Sequence, residues 1–171
     1  MQYAPTRKIC KKMTNEIKNN QPQSAKASPC GGGLEGVQNQ IIEEFSQFDE
    51  WMDKYALLID FGNALEPLDE KYKTPQNIIE GCQSRVWLHA EMRDGKVIFQ
   101  ADSDAILVKG IVYLLIDVLS NRTPSEIVDA DLYFIEKIGL REHLSPTRSN
   151  GLLAMVKQMK MYGLAFKTIG N

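Results

Sequence analysis

The spacing of apolar residues predicts helices in the first part of the chain that can form a core. From Gln38 onward, large apolar side chains recur at steps of three and four residues, which is the spacing of one face of an α-helix. They are Ile41, Ile42, Phe45, Phe48, Trp51, Met52, Tyr55, Leu58 and Ile59. This pattern predicts one broken helix or two successive amphipathic helices, with Gly62 near the end of the second. The prolines and charges between Pro67 and Asn77 then predict an exposed loop.

The pattern changes to a period of two beyond this loop, as expected for β-strands. Apolar residues alternate with Trp87, His89 and other side chains from Val86 to Met92, and a similar alternation runs from Val97 to Ala101. Asp94-Gly95 lies between the two runs, and this dipeptide favours a two-residue hairpin turn. The sequence therefore predicts an antiparallel β-hairpin whose first strand begins just after Cys82.

A strongly apolar segment from Ala105 to Leu119 predicts a central helix that packs against the hairpin. Asp102-Ser103-Asp104 precedes it and has the residue types that cap a helix N-terminus. Gly110, within the segment, is expected to allow a neighbouring element to approach closely.

Further helices are predicted in the C-terminal third. Thr123-Pro124-Ser125-Glu126 has the pattern of a capping box with proline at the first helical position. A short helix is predicted from Leu132 to Ile138, ending at Gly139, and a last amphipathic helix is predicted to start at Ser149-Asn150. Together the elements predict an α+β fold, in which helices pack on one face of a small antiparallel sheet.

The composition indicates one globular domain preceded by a polar segment. The 171 residues include 43% hydrophobic and 25% charged residues, enough for one sizeable core. Residues 1–37 are rich in Lys, Asn, Gln, Ser, Pro and Gly, and contain few large apolar side chains. We therefore predict a flexible polar N-terminal tail over residues 1–37 and an ordered domain over residues 38–171.

The net charge and the hydropathy of the chain argue against nucleic acid and membranes as partners. A net charge of -2 gives no broad positive field for a phosphate backbone, so no nucleic-acid partner is expected. Lys109 and Asp117 interrupt the longest apolar run before it could cross a bilayer, so no membrane partner is expected either. The N-terminus lacks the apolar stretch of a secretory signal, which predicts a cytoplasmic location; the scarcity of acidic residues there leaves organelle targeting open.

Cys82 is the first candidate for chemistry, and the residues alone leave two interpretations of it. Three widely spaced cysteines fit free thiols in a reducing compartment better than a disulfide framework. Cys82 is therefore either a buried residue that acts as a small apolar side chain, or a nucleophile. Gly81 leaves space beside the sulfur, and Arg85 would stabilise a thiolate if the loop folds back.

Two other chemistries of Cys82 are disfavoured by the sequence. A cysteine hydrolase needs a histidine base, but His89 lies on a strand that leads away from Cys82 by roughly 20 Å. His143 is predicted to be an exposed or capping histidine. A metal or cluster site needs several converging soft ligands, and neither Cys10 nor Cys30 belongs to a Cys-x2-Cys pair.

Four motifs in this chain resemble the SufE family, the sulfur-acceptor proteins of iron-sulfur cluster assembly. They occur in the family's order and approximate spacing, and the match extends from about Gln40 to Phe166. The motifs are GCQSRVW from Gly81 to Trp87, ADSDA from Ala101 with VKG from Val108, TPSEIV from Thr123, and SPTRSNGL from Ser145.

The resemblance implies a fold shared with the IscU-type cluster scaffolds, and a function for Cys82. In proteins of this family the cysteine of the Gly-Cys-Gln motif accepts sulfur from a pyridoxal-phosphate-dependent cysteine desulfurase, stimulates it and passes the sulfur to an iron-sulfur scaffold. The cysteine loop is expected to be tucked in when free and to swing out on docking. The chain itself would bind no pyridoxal phosphate or metal and would not be a stand-alone desulfurase.

The resemblance also implies which residues support Cys82. The supporting or docking positions are Gly81, Gln83, Ser84, Arg85, Asp102, Asp104 and Arg148. A single cysteine in the matched region favours sulfur transfer over holding a cluster. The alternative is a non-catalytic regulator that docks on a desulfurase or scaffold.

Overall fold

The computed structural model describes residues 33–170, which form helices around one two-stranded antiparallel sheet. This arrangement confirms the predicted α+β fold. The helices are α1 (Leu34–Ser46), α2 (Trp51–Ala64), α3 (Ile106–Leu119), α4 (Pro124–Asp129), α5 (Phe134–Lys137), α6 (Leu140–His143) and α7 (Pro146–Ile169). The strands are β1 (Val86–Arg93) and β2 (Lys96–Ser103), and two 3-10 turns at Glu70–Tyr72 and Pro75–Asn77 lie between α2 and β1.

The β-hairpin has the predicted turn and register. Asp94 and Gly95 have φ angles of 52° and 76°, and Arg93 pairs with Lys96. One face of the hairpin carries the buried side chains Val86, Leu88, Val97, Phe99 and Ala101 against the helices. The helices therefore pack on one face of the sheet, as predicted.

The other face of the hairpin is covered by the segment that was predicted to be an exposed loop. The Tyr72 ring stacks on the His89 ring with 3.7 Å between centroids, and Lys73 Nζ lies 5.9 Å from the Trp87 ring. Leu68 is buried in the same segment. Much of the segment is exposed, as predicted, but part of it also packs on the aromatic face of the hairpin and shields that face from water.

Helix α3 is the centre of the core, and glycines let α2 approach it. A Cβ atom at Gly110 would lie 2.1 Å from the Leu58 carbonyl oxygen, and one at Gly62 would lie 2.6 Å from the Ile106 carbonyl oxygen. The close approach predicted for Gly110 is confirmed. The predicted cap of α3 was wrong: Asp102 and Ser103 belong to β2, and Ala105 occupies the cap position without a side-chain hydrogen bond.

The C-terminal helices agree with the predicted order and differ in their limits. Thr123 and Glu126 form the predicted capping box. The short helix predicted from Leu132 to Ile138 spans only Phe134–Lys137. The last helix begins at Pro146 rather than at Ser149-Asn150, because the Ser145 hydroxyl caps it by accepting a hydrogen bond from the Arg148 N–H.

The ordered domain begins earlier than the predicted boundary at Gln38. Helix α1 starts at Leu34, and Val37 is buried in the core. Leu34, Val37 and Ile41 continue the helical spacing backwards, which extends the buried face by one turn. The rest of the predicted tail, with Cys10 and Cys30, lies outside the described residues. Within residues 33–170, none of the helices has the length and apolar character to cross a membrane.

Candidate functional site

Cys82 lies in a short loop whose base is closed by a backbone hydrogen bond. The Ile79 N–H donates to the Val86 carbonyl at 2.8 Å, just where the chain enters β1. Gly81 has a φ angle of 89°, a conformation that L side chains rarely adopt, so glycine suits this bend. The bend directs the next residue, Cys82, toward helix α7.

Gly151 of α7 provides the position in which Cys82 rests. Cys82 Sγ lies 3.6 Å from the Gly151 carbonyl oxygen, and the side chain is half-buried. A Cβ atom at residue 151 would lie 3.3 Å from Sγ, which is a tight contact. Ala154 is the next small residue on this face of α7, 3.5 Å from where a Cβ of Gly81 would lie. We call Gly151 and Ala154 the seat of Cys82.

A cavity of about 290 Å³ adjoins the Cys82 side chain. Its apolar wall comes from the central helix and α7, and its polar wall from the Cys82 loop and the first turn of α7. The lining residues besides Cys82 are Gln83, Ser84, Val108, Ile111, Thr147, Arg148, Gly151 and Met155. The structure thus brings Gln83, Ser84 and Arg148, all expected near the cysteine, to one cavity.

Burial raises the pKa of the Cys82 thiol. An apolar environment disfavours the charged form of a thiol, so the seated Cys82 thiol stays protonated at neutral pH. Burial is the cause of the shift in the pKa of the thiol, and Arg85 does not offset it. The Arg85 side chain is exposed. The expectation that Arg85 would stabilise a thiolate if the loop folds back therefore stays a prediction for a conformation other than the seated one.

Ser103 and Asp104 hold the end of the loop at Arg85. The Arg85 N–H donates to Asp104 Oδ1 at 3.1 Å, and the Asp104 N–H donates back to the Arg85 carbonyl at 3.3 Å. Ser103 Oγ donates to the same carbonyl at 2.8 Å. Asp104 therefore supports the loop through its backbone and carboxylate.

Asp102 has a different environment from Asp104. Asp102 is only 7% exposed, and its carboxylate lies 3.3 Å from Lys73 Nζ and 3.4 Å from Lys109 Nζ. Burial alone would raise the pKa of Asp102, but the hydrogen bond from the Ser103 N–H and the two ammonium groups outweigh it, so the pKa is lowered. Asp102 is an ionised, buried residue, and a partner could not dock directly on it.

Neither histidine serves Cys82 as a base. His89 lies on the face of the hairpin that Tyr72 covers, while Cys82 lies on the side of the helices, so the structure agrees that the two do not meet. His143 is exposed, stacks on Trp51 at 3.9 Å, and its Nδ1 lies 2.9 Å from the Gly139 carbonyl oxygen. Within residues 33–170 there is also no group of three or more His, Cys, Asp or Glu residues placed to hold a metal ion.

No function was predicted from the sequence for Gly151 and Ala154 of the seat, or for Lys73 and Lys109, which pair with Asp102. Gly151 and Ala154 carried a usable signal, since small residues three apart on an amphipathic helix mark a close contact. Lys109 belongs to the VKG motif, but neither lysine had a local signal for burial of its charge, because charged residues in a polar loop and near a helix start are normally solvated.

Comparison with known proteins adds family information to this geometry. Residues 39–163 match the SufE family, described as an Fe-S metabolism associated domain. An uncharacterized SufE-like protein of Synechocystis sp. is 42% identical over 128 residues, which cover 75% of this chain and 80% of that protein. A solution structure of a hypothetical protein from Thermus thermophilus superposes with a TM-score of 0.64 at 22% identity, over 77% of this chain and 96% of the other. The last likeness concerns the fold alone.

Proposed function

The chain belongs to the SufE family and has a role in iron-sulfur metabolism, and on this basis we propose that Cys82 is a sulfur acceptor and carrier. The donor is the persulfide of a pyridoxal-phosphate-dependent cysteine desulfurase, whose activity the acceptor stimulates. The sulfur then passes to an iron-sulfur scaffold. The observation that carries this proposal is the placement of Cys82 Sγ against Gly151 at the edge of a cavity.

The chemistry of the proposed step needs a single thiol. The donor carries a persulfide, Cys–S–SH, and the Cys82 thiolate attacks its outer sulfur. A new S–S bond forms on Cys82, the donor's S–S bond breaks, and the donor cysteine leaves as a thiolate with the electron pair. The outer sulfur keeps its proton, and the proton of the Cys82 thiol passes to solvent or to the leaving thiolate. No oxidant and no base on this chain are required.

The cavity supports a carrier function because it has room for the cargo. A water molecule occupies about 30 Å³ in the liquid, and the cavity beside Cys82 has about 290 Å³. The cavity therefore has room for an added sulfur atom on Cys82. The half-buried position would also limit attack on the persulfide by soluble thiols, since access governs the rate of thiol exchange.

We propose that the seated loop is the protective conformation, because Cys82 is half-buried against Gly151 and this burial also raises the pKa of its thiol. A protonated, half-buried thiol is a poor nucleophile. We propose that the loop leaves the seat when the donor docks, which exposes Cys82 and lowers its pKa toward the ordinary value. The backbone contacts at Ile79 and Arg85 mark the ends of the segment that moves.

The proposal is tested by substitution of each cysteine in the full chain. Cys82→Ser should bind the desulfurase, and it should lose both sulfur acceptance and stimulation of cysteine turnover. The matched control, Cys10→Ser with Cys30→Ser, should behave as the unmodified protein. Unchanged stimulation by Cys82→Ser would contradict the carrier function and would favour a docking regulator.

A further inference from the structure

One buried carboxylate on β2 joins the segment that precedes the Cys82 loop to helix α3. Lys73 belongs to the segment that leads into the Cys82 loop, and Lys109 belongs to α3, which walls the cavity. Asp102 binds both ammonium groups, at 3.3 Å and 3.4 Å. The carboxylate on β2 therefore joins the entry to the loop with the wall of the cavity.

Lys73 is held from several sides. Its Nζ lies 2.6 Å from Glu70 Oε1 and 5.9 Å from the Trp87 ring, in addition to its contact with Asp102. The hydrogen bond to Glu70 is the largest cause that raises the pKa of the Lys73 ammonium, and the Asp102 ion pair raises it further. Glu70 is exposed, whereas the Asp102 carboxylate is buried, so Asp102 is the partner less screened by water.

Lys109 connects the same carboxylate to the cavity. It follows Val108, whose side chain lines the cavity beside Cys82. The neighbouring residues Ser103 and Asp104 hold the other end of the loop at Arg85. Asp102 thus attaches the segment before the loop to β2, while the next two residues hold the end of the loop at Arg85.

We propose that Asp102 is a positioning residue for the Cys82 loop. By binding both Lys73 and Lys109, it holds in place the segment that contains Lys73 and leads into the loop, which we call the entry segment. Cys82 then rests on its seat, and only residues 80–84 move. The movement in sulfur transfer rests on the function proposed above; the positioning of the resting loop does not.

The physical reason is the cost of a buried charge. An ionised carboxylate is stable in the interior only when opposite charges and hydrogen bonds replace water. Asp102→Asn keeps the size of the side chain and an acceptor for the Ser103 N–H, but it removes the charge that Lys73 and Lys109 share. Both ammonium groups then favour solvent over their present positions, and the entry segment loses its attachment to β2.

The test measures how fast iodoacetamide alkylates Cys82 in the folded full-length chain. Peptide mapping separates Cys82 from Cys10 and Cys30, which serve as internal references in the same molecule. Asp102→Asn should raise the alkylation rate of Cys82 by roughly tenfold, the change in exposed population that follows the loss of one charge-assisted contact. The reference cysteines should react at an unchanged rate.

Two variants of Lys73 separate positioning from a general loss of stability. Lys73→Met should reproduce the rise and, because it retains the pair between Asp102 and Lys109, it keeps the test available if Asp102→Asn does not fold. Lys73→Arg preserves the charge and should rescue the slow rate. Thr123→Ala weakens a distant helix cap and lowers overall stability, but it should leave the rate at Cys82 unchanged.

The inference is wrong if Asp102→Asn and Lys73→Met alkylate at the unmodified rate, or if Thr123→Ala gives the same rise as they do. It is also wrong if Lys73→Arg behaves like Lys73→Met. Alkylation needs no sulfur donor, so a failure of sulfur acceptance with the expected alkylation pattern would contradict the proposed function and leave the positioning of the loop intact.

Discussion

Replacing Gly151 by alanine is expected to displace Cys82 from its seat without unfolding the protein. The new Cβ would lie 3.3 Å from Cys82 Sγ, and 3.7 Å and 3.8 Å from its Cα and Cβ. Overpacking of this kind costs about 1–3 kcal/mol, and it acts only on the seated conformation. Alanine inside a helix is favoured over glycine by about 1 kcal/mol in either conformation. Overall stability should therefore change little, while the balance moves toward the exposed loop.

The magnitude follows from this balance. A shift of about 1.4 kcal/mol changes a population tenfold, so a cost of about 1–3 kcal/mol should raise the alkylation rate of Cys82 by about fivefold or more in Gly151→Ala. The assay is a time course of iodoacetamide labelling at neutral pH, followed by peptide mapping. The apparent pKa of Cys82, obtained from the pH dependence of its alkylation rate, should also fall. Exposure removes the burial that raises this pKa.

Gly36→Ala is the matched control. Residue 36 lies in α1, and a Cβ there would meet no atom within 4 Å, so this variant adds the same helix preference without a contact at the site. Its Cys82 should react at the unmodified rate. The reasoning is refuted if Gly151→Ala alkylates Cys82 no faster than Gly36→Ala does, or if it alkylates Cys82 more slowly.

Three further predictions concern stability, each measured by urea unfolding. Because burial raises the pKa of Cys82, the protonated thiol stabilises the fold at pH values below its ordinary pKa, and this contribution is lost as pH rises through the raised pKa. The unfolding free energy of the protein minus that of Cys82→Ala should therefore fall across this alkaline range. A difference that stays constant with pH would contradict the prediction. Gly110→Ala places a Cβ 2.1 Å from the Leu58 carbonyl oxygen and should cost at least about 3 kcal/mol; a loss below about 1 kcal/mol, the low end for overpacking, would show that α2 and α3 separate easily. Thr123→Ala removes the hydroxyl that accepts from the Glu126 N–H and should cost about 1 kcal/mol, whereas a neutral effect would show that the cap contributes nothing.

Local signals in the sequence predicted the parts of the fold that local chemistry decides. Asp94-Gly95 specifies its hairpin turn, and Thr123 with Glu126 specifies its capping box, because each needs only neighbouring residues. The start of α7 was missed although Ser145 before Pro146 obeys the same rule as Thr123 before proline. The local signal for the start of α7 is therefore present in the sequence.

The remaining features depend on packing between distant segments. Cys82 contacts Gly151 across 69 positions of the chain, and no local pattern links the two. Asp102 has the residue type of a helix cap, so propensity favours that function; burial between two lysines overrides it in the folded protein. The sequence therefore indicates which residues lie near the cysteine, but it does not indicate which atoms each of them contacts.

The most direct test of the carrier function is intact-protein mass spectrometry after the full chain is mixed with a cysteine desulfurase and cysteine in the absence of reductant, followed by peptide mapping. We expect one added sulfur atom on Cys82 and none on Cys10 or Cys30. Sulfur on Cys10 or Cys30 with Cys82 unmodified, or stimulation of the desulfurase with no sulfur on the chain, would contradict the carrier function of Cys82.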